Sequence, residues 1–307
     1  MKLVSIIVCF YNEIENISEC HHKISQLIKQ NKDFEFEIIF INDGSTDQTT
    51  KRIKDFQHLK NSKLIEFTRN FGAKNALLAG IIHSRGDYLF PFPADCQEPN
   101  YLFNNALDII RKNNNTDLIF GIRKSRKDPP ISKVFSNLYS LLMRRFAIDN
   151  YPKKGLDSFF ISRKLIDIIN KNNEINIQSF LIWTGFEYEI VFYEKELRKK
   201  GKSKWSISKK VNYLIDNFVS FSTAPLKFIT ISGLIMLISG TLISFYTIYL
   251  KLFTQDVPQG WTTLISVLLI GFGMTNFFIG IISFYLVKMY KDSKGRDMYM
   301  IKETYDL

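Results

Sequence analysis

Two stretches near the C-terminal end carry no charged residue: 228–250, FITISGLIMLISGTLISFYTIYL, and 264–287, LISVLLIGFGMTNFFIGIISFYLV. Each exceeds the ~20 residues a helix needs to cross ~30 Å of hydrocarbon. A pair of buried core helices is the other reading, but such helices rarely run this long without one charge. The pattern predicts two transmembrane helices within residues 226–290. The linker KLFTQDVPQGWTT holds one cation, Lys251, whereas Lys288, Lys291, Lys294 and Arg296 follow the second stretch. The excess of Lys and Arg on cytoplasmic segments predicts a multi-pass protein of the plasma (inner) membrane. Both termini and the tail 291–307 are then cytoplasmic, and the linker lies outside. Tyr249, Trp261, Tyr285 and Tyr290 suit the aromatic belts at the two interfaces.

Residues 206–225 form a juxtamembrane segment. Val211, Leu214, Ile215, Phe218, Val219 and Ser222 fall at helical spacing behind Lys209 and Lys210. That pattern suits a helix lying in the membrane interface, or an amphipathic helix packed on the rest of the chain.

The net charge is +11, which favours an anionic partner: nucleic acid, an acidic membrane or a phosphorylated substrate. No nucleic-acid-binding motif accompanies the charge, so no nucleic-acid partner is expected. Cys9, Cys20 and Cys96 fit neither zinc spacing nor an even disulfide set, and read as reduced thiols. The first residues, MKLVSIIVCFYNE, lack a small-residue cleavage site and read as a buried strand rather than a signal peptide.

Residues 1–205 alternate strand and helix patterns. VSIIVCF, FEIIFIND, SKLIEFT and DYLFPFPAD read as strands. Helices are expected around 17–30, from Thr46, and over KNALLAGIIHS. This order implies an α/β fold with a mostly parallel sheet. Polar residues gather where the strands end: Asn12 and Glu13, Asn42 and Asp43, Arg69 and Asn70, and Asp95. Open α/β sheets bind ligands off the carboxyl ends of their strands, so these residues point to one site. Neither G-x-G-x-x-G nor a Walker A sequence is present. NDGSTD is equally a turn and a helix start, with Ser45, Thr46 or Asp47 as cap. Asp95 and Gln97 present hard oxygen ligands at a strand end stiffened by prolines. Such ligands suit Mg²⁺ or Mn²⁺, which commonly arrives with a diphosphate.

SIIVCFYNEIENI, FINDGSTDQT, TRNFGAKNALLAGI, GDYLFPFPADCQEP, WTGF and KGKSKW together resemble the GT-A family 2 glycosyltransferases. The likeness is to the polyprenyl-phosphate branch, which includes dolichyl-phosphate mannose synthases and bactoprenol glucosyltransferases, and it covers nearly the whole chain. It implies a GT-A domain over 1–205 that moves one sugar, with inversion, from a nucleotide diphosphate sugar to a polyprenyl phosphate. Undecaprenyl phosphate is the expected acceptor in a bacterium. The resemblance gives Tyr11, Glu13 and Asp43 to the nucleotide base and ribose, and Asp95 and Gln97 to a divalent metal and the diphosphate. Arg123, Arg126, Lys133 and Ser136 would stand near the acceptor phosphate or donor diphosphate. Asp157 would stand near the reacting sugar, and Arg198, Ser203 and Lys204 would bind phosphate. A homotetramer is also implied.

The chain departs from that family at four places. Pro93 stands where the D-x-D motif has its first Asp, which removes one ligand and bears on metal dependence. Asn42 replaces an Asp, Cys9 a Pro and Lys195 an Arg. The alternatives are a transferase that acts on a lipid-linked oligosaccharide or polysaccharide, and a non-catalytic nucleotide-sugar-binding membrane protein.

Overall fold

The computed structural model describes the chain except residues 56–58, 60, 125–129, 149–150, 153–155, 173–175, 197–213, 217, 254–259 and 294–296. It also leaves out side chains at 130–137 and at scattered positions of the last two helices. Two compact units emerge. One comprises Met1–Arg144, Ile148–Asn212 and Asp297–Leu307; the other comprises Arg145–Ala147 and Tyr213–Arg296.

In the first unit the described strands are β1 (Lys2–Phe10), β2 (Phe34–Asn42), β3 (Ser62–Phe67), β4 (Tyr88–Pro91), β5 (Leu118–Arg123), β6 (Ser158–Ser162), β7 (Glu189–Tyr193) and β8 (Ile301–Asp306). They form one sheet in the order β7-β5-β6-β4-β1-β2-β3-β8. The pairs β1–β2, β1–β4, β2–β3 and β5–β7 are parallel, while β6 runs antiparallel to β4 and β5, and β8 antiparallel to β3. The expected α/β sheet is therefore present. Its chain order turns back between β1 and β4, where such sheets open a crevice. The helices of this unit are α1 (Ile17–Gln30), α2 (Thr49–Lys54), α3 (Ala73–Ile82), α4 (Asn100–Lys112), α5 (Pro130–Phe146), α6 (Arg163–Asn172) and α7 (Ile177–Trp183).

β1 and β2 are almost continuously buried, as central strands covered on both faces must be. α1 occupies the span its periodicity suggests, with Ile17, Cys20, Ile24 and Leu27 on its buried face. Two expectations shift. α2 starts at Thr49 rather than Thr46, because 45–47 are taken up in a turn where Asp47 accepts the Thr49 amide at 3.0 Å. β4 stops at Pro91 rather than Asp95: Phe92 still donates to the Ile7 carbonyl at 2.7 Å, but Pro91 and Pro93 have no amide to continue the ladder. Phe90 and Phe92 are nonetheless both buried. Each packs on Phe103 of α4, with ring centroids 4.9 Å apart. Burying such a ring stabilises by roughly 1.5–3 kcal/mol, so the strand end is anchored just before the chain turns towards Asp95.

In the second unit, described residues 214–216 and 218–221 are helical. Two long helices follow, α8 (Ala224–Phe253) and α9 (Trp261–Ser293). Both are long and apolar enough, by length and composition, to cross a membrane. They expose Phe228, Leu242, Phe245, Phe272 and Phe277. Tyr285 donates to the Ser222 carbonyl at 2.9 Å, and Lys288 to Ser220 Oγ at 2.5 Å. β8, in contrast, belongs to the sheet of the first unit although it follows α9 in the chain.

Candidate active site

The parallel strands bring their carboxyl ends to one edge of the sheet. Antiparallel β6 brings its first residue there, with Asp157 just before it. Tyr11–Glu13, Asp43, Arg69–Gly72, Asp95–Glu98, Arg123, Asp157 and Glu194–Glu196 therefore share that edge.

On the β1–β3 side the loops are tied to one another. The Asn12 amide donates to Ser45 Oγ at 2.9 Å, and Asn12 Oδ1 accepts the Thr46 amide at 2.8 Å. Asn12 has φ 50°, a left-handed conformation that Asn tolerates better than most residues. Asp43 is buried and accepts the Phe71 amide at 2.6 Å and the Gly72 amide at 2.9 Å. Burial pushes its carboxyl above the usual value, and these two amides oppose that shift. Gly44 has φ +64°, and a Cβ there would sit 2.2 Å from the Arg69 backbone; only glycine lets the two loops approach so closely. Glu13 Oε2 accepts the Asn16 amide group at 2.6 Å. Tyr11 is half-buried.

On the β4 side, Asp95 follows the anchored Phe92. Its Oδ1 accepts the Gln97 amide at 3.3 Å. Cys96, with φ 53°, carries the sharp turn. Gln97 is held against the segment after β7: Glu196 N donates to the Gln97 carbonyl at 2.8 Å, and Gln97 Nε2 donates to the Glu196 carbonyl at 3.3 Å. The Gln97 side-chain oxygen is not used in that contact. Lys23 of α1 braces the same two segments. Its ammonium donates to the Cys96 carbonyl at 2.7 Å and pairs with Glu196 at 2.8 Å.

On the β5–β6 side Arg123 Nη2 pairs with Asp157 Oδ1 at 2.6 Å. The pair is mostly buried, with side-chain exposures of 22% and 9%. Glu98 accepts a short hydrogen bond from Ser158, and Tyr193 stands 3.5 Å away. Burial pushes the Glu98 carboxyl up to about 7; the Ser158 hydrogen bond opposes this and the Asp157 charge adds to it. Lys195 is held below the usual lysine value, first by burial and then by Arg123, while Asp95, Asp157 and Glu98 pull it back. Lys195 therefore feels all four of those charged groups at once.

The structure thus brings Tyr11, Glu13, Asp43, Asp95, Gln97, Arg123 and Asp157 to one edge. Lys133 and Ser136 lie on α5, with side chains outside the described set, and Arg126, Arg198, Ser203 and Lys204 lie outside the described residues. Sequence reasoning passed over Lys23, although it sits on the α1 face that buries Cys20, Ile24 and Leu27. It also noted Lys195 only as a departure, and overlooked Glu98.

Among the described residues no group of three or more His, Cys, Asp or Glu stands together as a metal cage. Asp95 and the Gln97 side-chain oxygen are a minority donor set. They would suit a divalent cation whose remaining positions are filled by phosphate oxygens and water.

Residues 5–179 match the Glycosyl transferase family 2. CsbB of Bacillus subtilis (strain 168), provisionally named a glycosyltransferase, is 33% identical over 98% of this chain and 92% of its own length. The bactoprenol glucosyl transferase of Shigella phage SfV is 28% identical over 97% of this chain and 98% of its own. The crystal structure of mannosyl-3-phosphoglycerate synthase from Rubrobacter xylanophilus superposes with a TM-score of 0.51 at 11% identity, covering 71% of this chain and 74% of that one; the likeness is one of fold. With its GT-A-like sheet and a family match over more than half its length, the chain belongs to glycosyl transferase family 2 and is a glycosyltransferase.

Proposed function

We propose that the enzyme transfers a single sugar, with inversion, from a nucleotide diphosphate sugar to a polyprenyl phosphate, undecaprenyl phosphate in a bacterium, at the cytoplasmic face of the membrane. One observation carries this reading. The likeness to the phage bactoprenol glucosyl transferase does not stop at residue 179, where the family match ends, but continues through both apolar helices.

The chemistry suits the site. An acceptor phosphate is anionic near neutral pH and needs little help from a general base. Its oxygen bonds to the anomeric carbon as the bond from that carbon to the diphosphate breaks, and the nucleoside diphosphate leaves. The difficult part is the charge that develops on the leaving diphosphate. Tyr11, Glu13 and Asp43 would hold the nucleoside, and Asp95 and Gln97 the diphosphate end. A bound divalent cation would supply charge neutralisation there. Lys195 adds positive charge beside Asp95, and Arg126, Lys133, Ser136, Arg198, Ser203 and Lys204 are proposed as further phosphate contacts. The Arg123–Asp157 pair would orient the reacting sugar.

α8 and α9 are proposed to cross the membrane as a hairpin. The pairing of β8 with β3 supports an even number of crossings between the chain before α8 and the chain after α9, and so one side for both. Lys288, Lys291, Lys294 and Arg296 favour the cytoplasm for that side. A homotetramer stays part of this reading.

The test is mass spectrometry of lipid made by purified full-length protein from polyprenyl phosphate and a panel of nucleotide sugars. A polyprenyl monophosphate carrying one hexose is expected. Product only on oligosaccharide, with polyprenyl phosphate inert, would move the enzyme to the oligosaccharide-elongating alternative.

A further inference from the structure

The tail after α9 does more than cover the edge of the sheet. β8 pairs with β3 from Lys63↔Asp306 to Phe67↔Ile301. The ladder is closed by the Leu307 amide on the Ser62 carbonyl at 2.9 Å, and the Thr68 amide reaches the Met300 carbonyl at 3.1 Å. Lys302 pairs with Glu66 at 3.2 Å, and the Lys54 ammonium lies 3.3 Å from the centre of the Tyr305 ring. Those contacts would suffice to cap a strand edge.

Tyr299 lies outside the ladder and makes a different contact. Its ring stacks on Phe67, with centroids 5.0 Å apart and an interplanar angle of 15°. Phe67 is the last residue of β3 and is buried. It meets Phe71 edge-on at 5.8 Å, and the Arg69 guanidinium lies 4.1 Å from the centre of the Phe71 ring. The Phe71 amide donates to Asp43 at 2.6 Å. A continuous line of contacts thus runs Tyr299–Phe67–Phe71–Asp43. The loop 69–72 is held from one side by the Asp43 carboxylate and from the other by this aromatic stack. Gly72, at φ 96°, leaves the loop little stiffness of its own.

We propose that the C-terminal tail is a working part of the donor site, with Tyr299 a positioning residue that sets Phe71, and through its amide Asp43, for the nucleoside half of the donor. The proposal rests on the reading that the loops after β1–β3 take the nucleotide. A consequence is that the donor site is complete only once both apolar helices have been made and the tail has returned to the sheet. Donor binding is thereby tied to synthesis of the chain beyond α9.

The experiment uses full-length protein in detergent, titrated with UDP and with GDP, and donor kinetics with the sugar nucleotide that proves active. Tyr299→Ala should weaken the nucleoside diphosphate that wild type binds, and raise the donor KM, by roughly three- to tenfold, the size of one aromatic pair contact. kcat should stay within about twofold of wild type, as expected when only uniform binding is lost. Tyr299→Phe should restore wild-type values, because the stack needs the ring and not the hydroxyl. Tyr299→Leu keeps apolar cover on Phe67 and guards against a folding failure in the alanine variant; it should still raise KM. Tyr305→Ala loses a contact on the same tail but not on the donor loop, and should leave KM unchanged. An unaltered KM in Tyr299→Ala and Tyr299→Leu overturns the proposal. If Asp43→Ala loses nucleotide binding in that same experiment, the donor-site reading survives; if Asp43→Ala binds as wild type does, that reading falls as well.

Discussion

Glu37 and Asp95 are both acids beside the central strands, but at opposite ends of the sheet. Glu37, on β2, is buried with 2% of its side chain exposed. It accepts hydrogen bonds from Ser5 Oγ, the Arg85 and Gly86 amides and the Arg85 guanidinium. Burial alone would raise its pKa; the Ser5 and Arg85 hydrogen bonds reverse that and hold it below the usual glutamate value. Asp95 is only half-buried and, among the described residues, accepts one long hydrogen bond, from Gln97. A carboxylate offers about four acceptor positions. Glu37 has filled its own with protein donors, whereas Asp95 keeps most of its capacity for something that is not protein. On the proposed function the difference separates an acid that builds the fold from one that meets a ligand, and residue type alone does not reveal it.

The largest expected effect tests the open end. Asp95→Ala should reduce transfer by about 10³-fold, near 4 kcal/mol of transition-state stabilisation, while thermal unfolding stays where it was. The check is initial rate against a melting curve on the same preparation. Near wild-type activity would make Asp95 another structural acid and erase the contrast.

The satisfied end should behave in the opposite way. Glu37→Ala leaves the Ser5 hydroxyl and the Arg85 amide without their acceptor, while the Gly86 amide keeps Ser5 Oγ at 2.9 Å; the loss is about 3 kcal/mol in stability. Donor KM and kcat of the protein that remains folded should match wild type. Denaturant unfolding with parallel kinetics reads both. A loss of kcat without a loss of stability would place Glu37 in the chemistry after all.

How much of this the sequence discloses varies with burial. The central strands and α1 are legible because their apolar patterns match what they bury. The place of Glu13, Asp43 and Asp95 at strand ends is legible because each follows an apolar run, but the loop-tying duty of Asp43 towards Phe71 and Gly72 is not. β8 is not legible: IKETYD is exposed at nearly every position, so no period-2 pattern marks it, and only its ladder with β3 defines it. Lys23 is hidden for the opposite reason. A lysine on a helix reads as solvated, but this one has 12% of its side chain exposed because three oxygens, from Cys96, Glu98 and Glu196, meet its ammonium. Arg123 and Asp157 are 34 positions apart in the chain, and only the antiparallel pairing of β5 with β6, Gly121↔Ser158, brings them together.

The smallest expected effect sharpens the comparison within the open end itself. Gln97 stands two residues after Asp95 and was expected to face the same metal and diphosphate, yet its Nε2 donates to the Glu196 carbonyl at 3.3 Å. The side chain therefore has two possible duties: its oxygen towards a cation, and its nitrogen as a tie to the segment that follows β7. The Glu196 amide on the Gln97 carbonyl, at 2.8 Å, is a backbone contact that any side chain at position 97 retains, and Lys23 grips Glu196 separately. Gln97→Ala should then lose about 1 kcal/mol, the net worth of one neutral hydrogen bond, and lower kcat/KM roughly fivefold. Gln97→Glu separates the duties. It keeps an oxygen for a cation, and a stronger one, but replaces the donor to Glu196 with an acceptor facing a carbonyl. If the cation duty dominates, Gln97→Glu holds kcat/KM near wild type and binds Mn²⁺ or Mg²⁺ more tightly in the presence of nucleoside diphosphate. If the tie dominates, Gln97→Glu falls at least as far as Gln97→Ala and metal affinity does not move, which would leave Asp95 as the sole protein ligand of this pair.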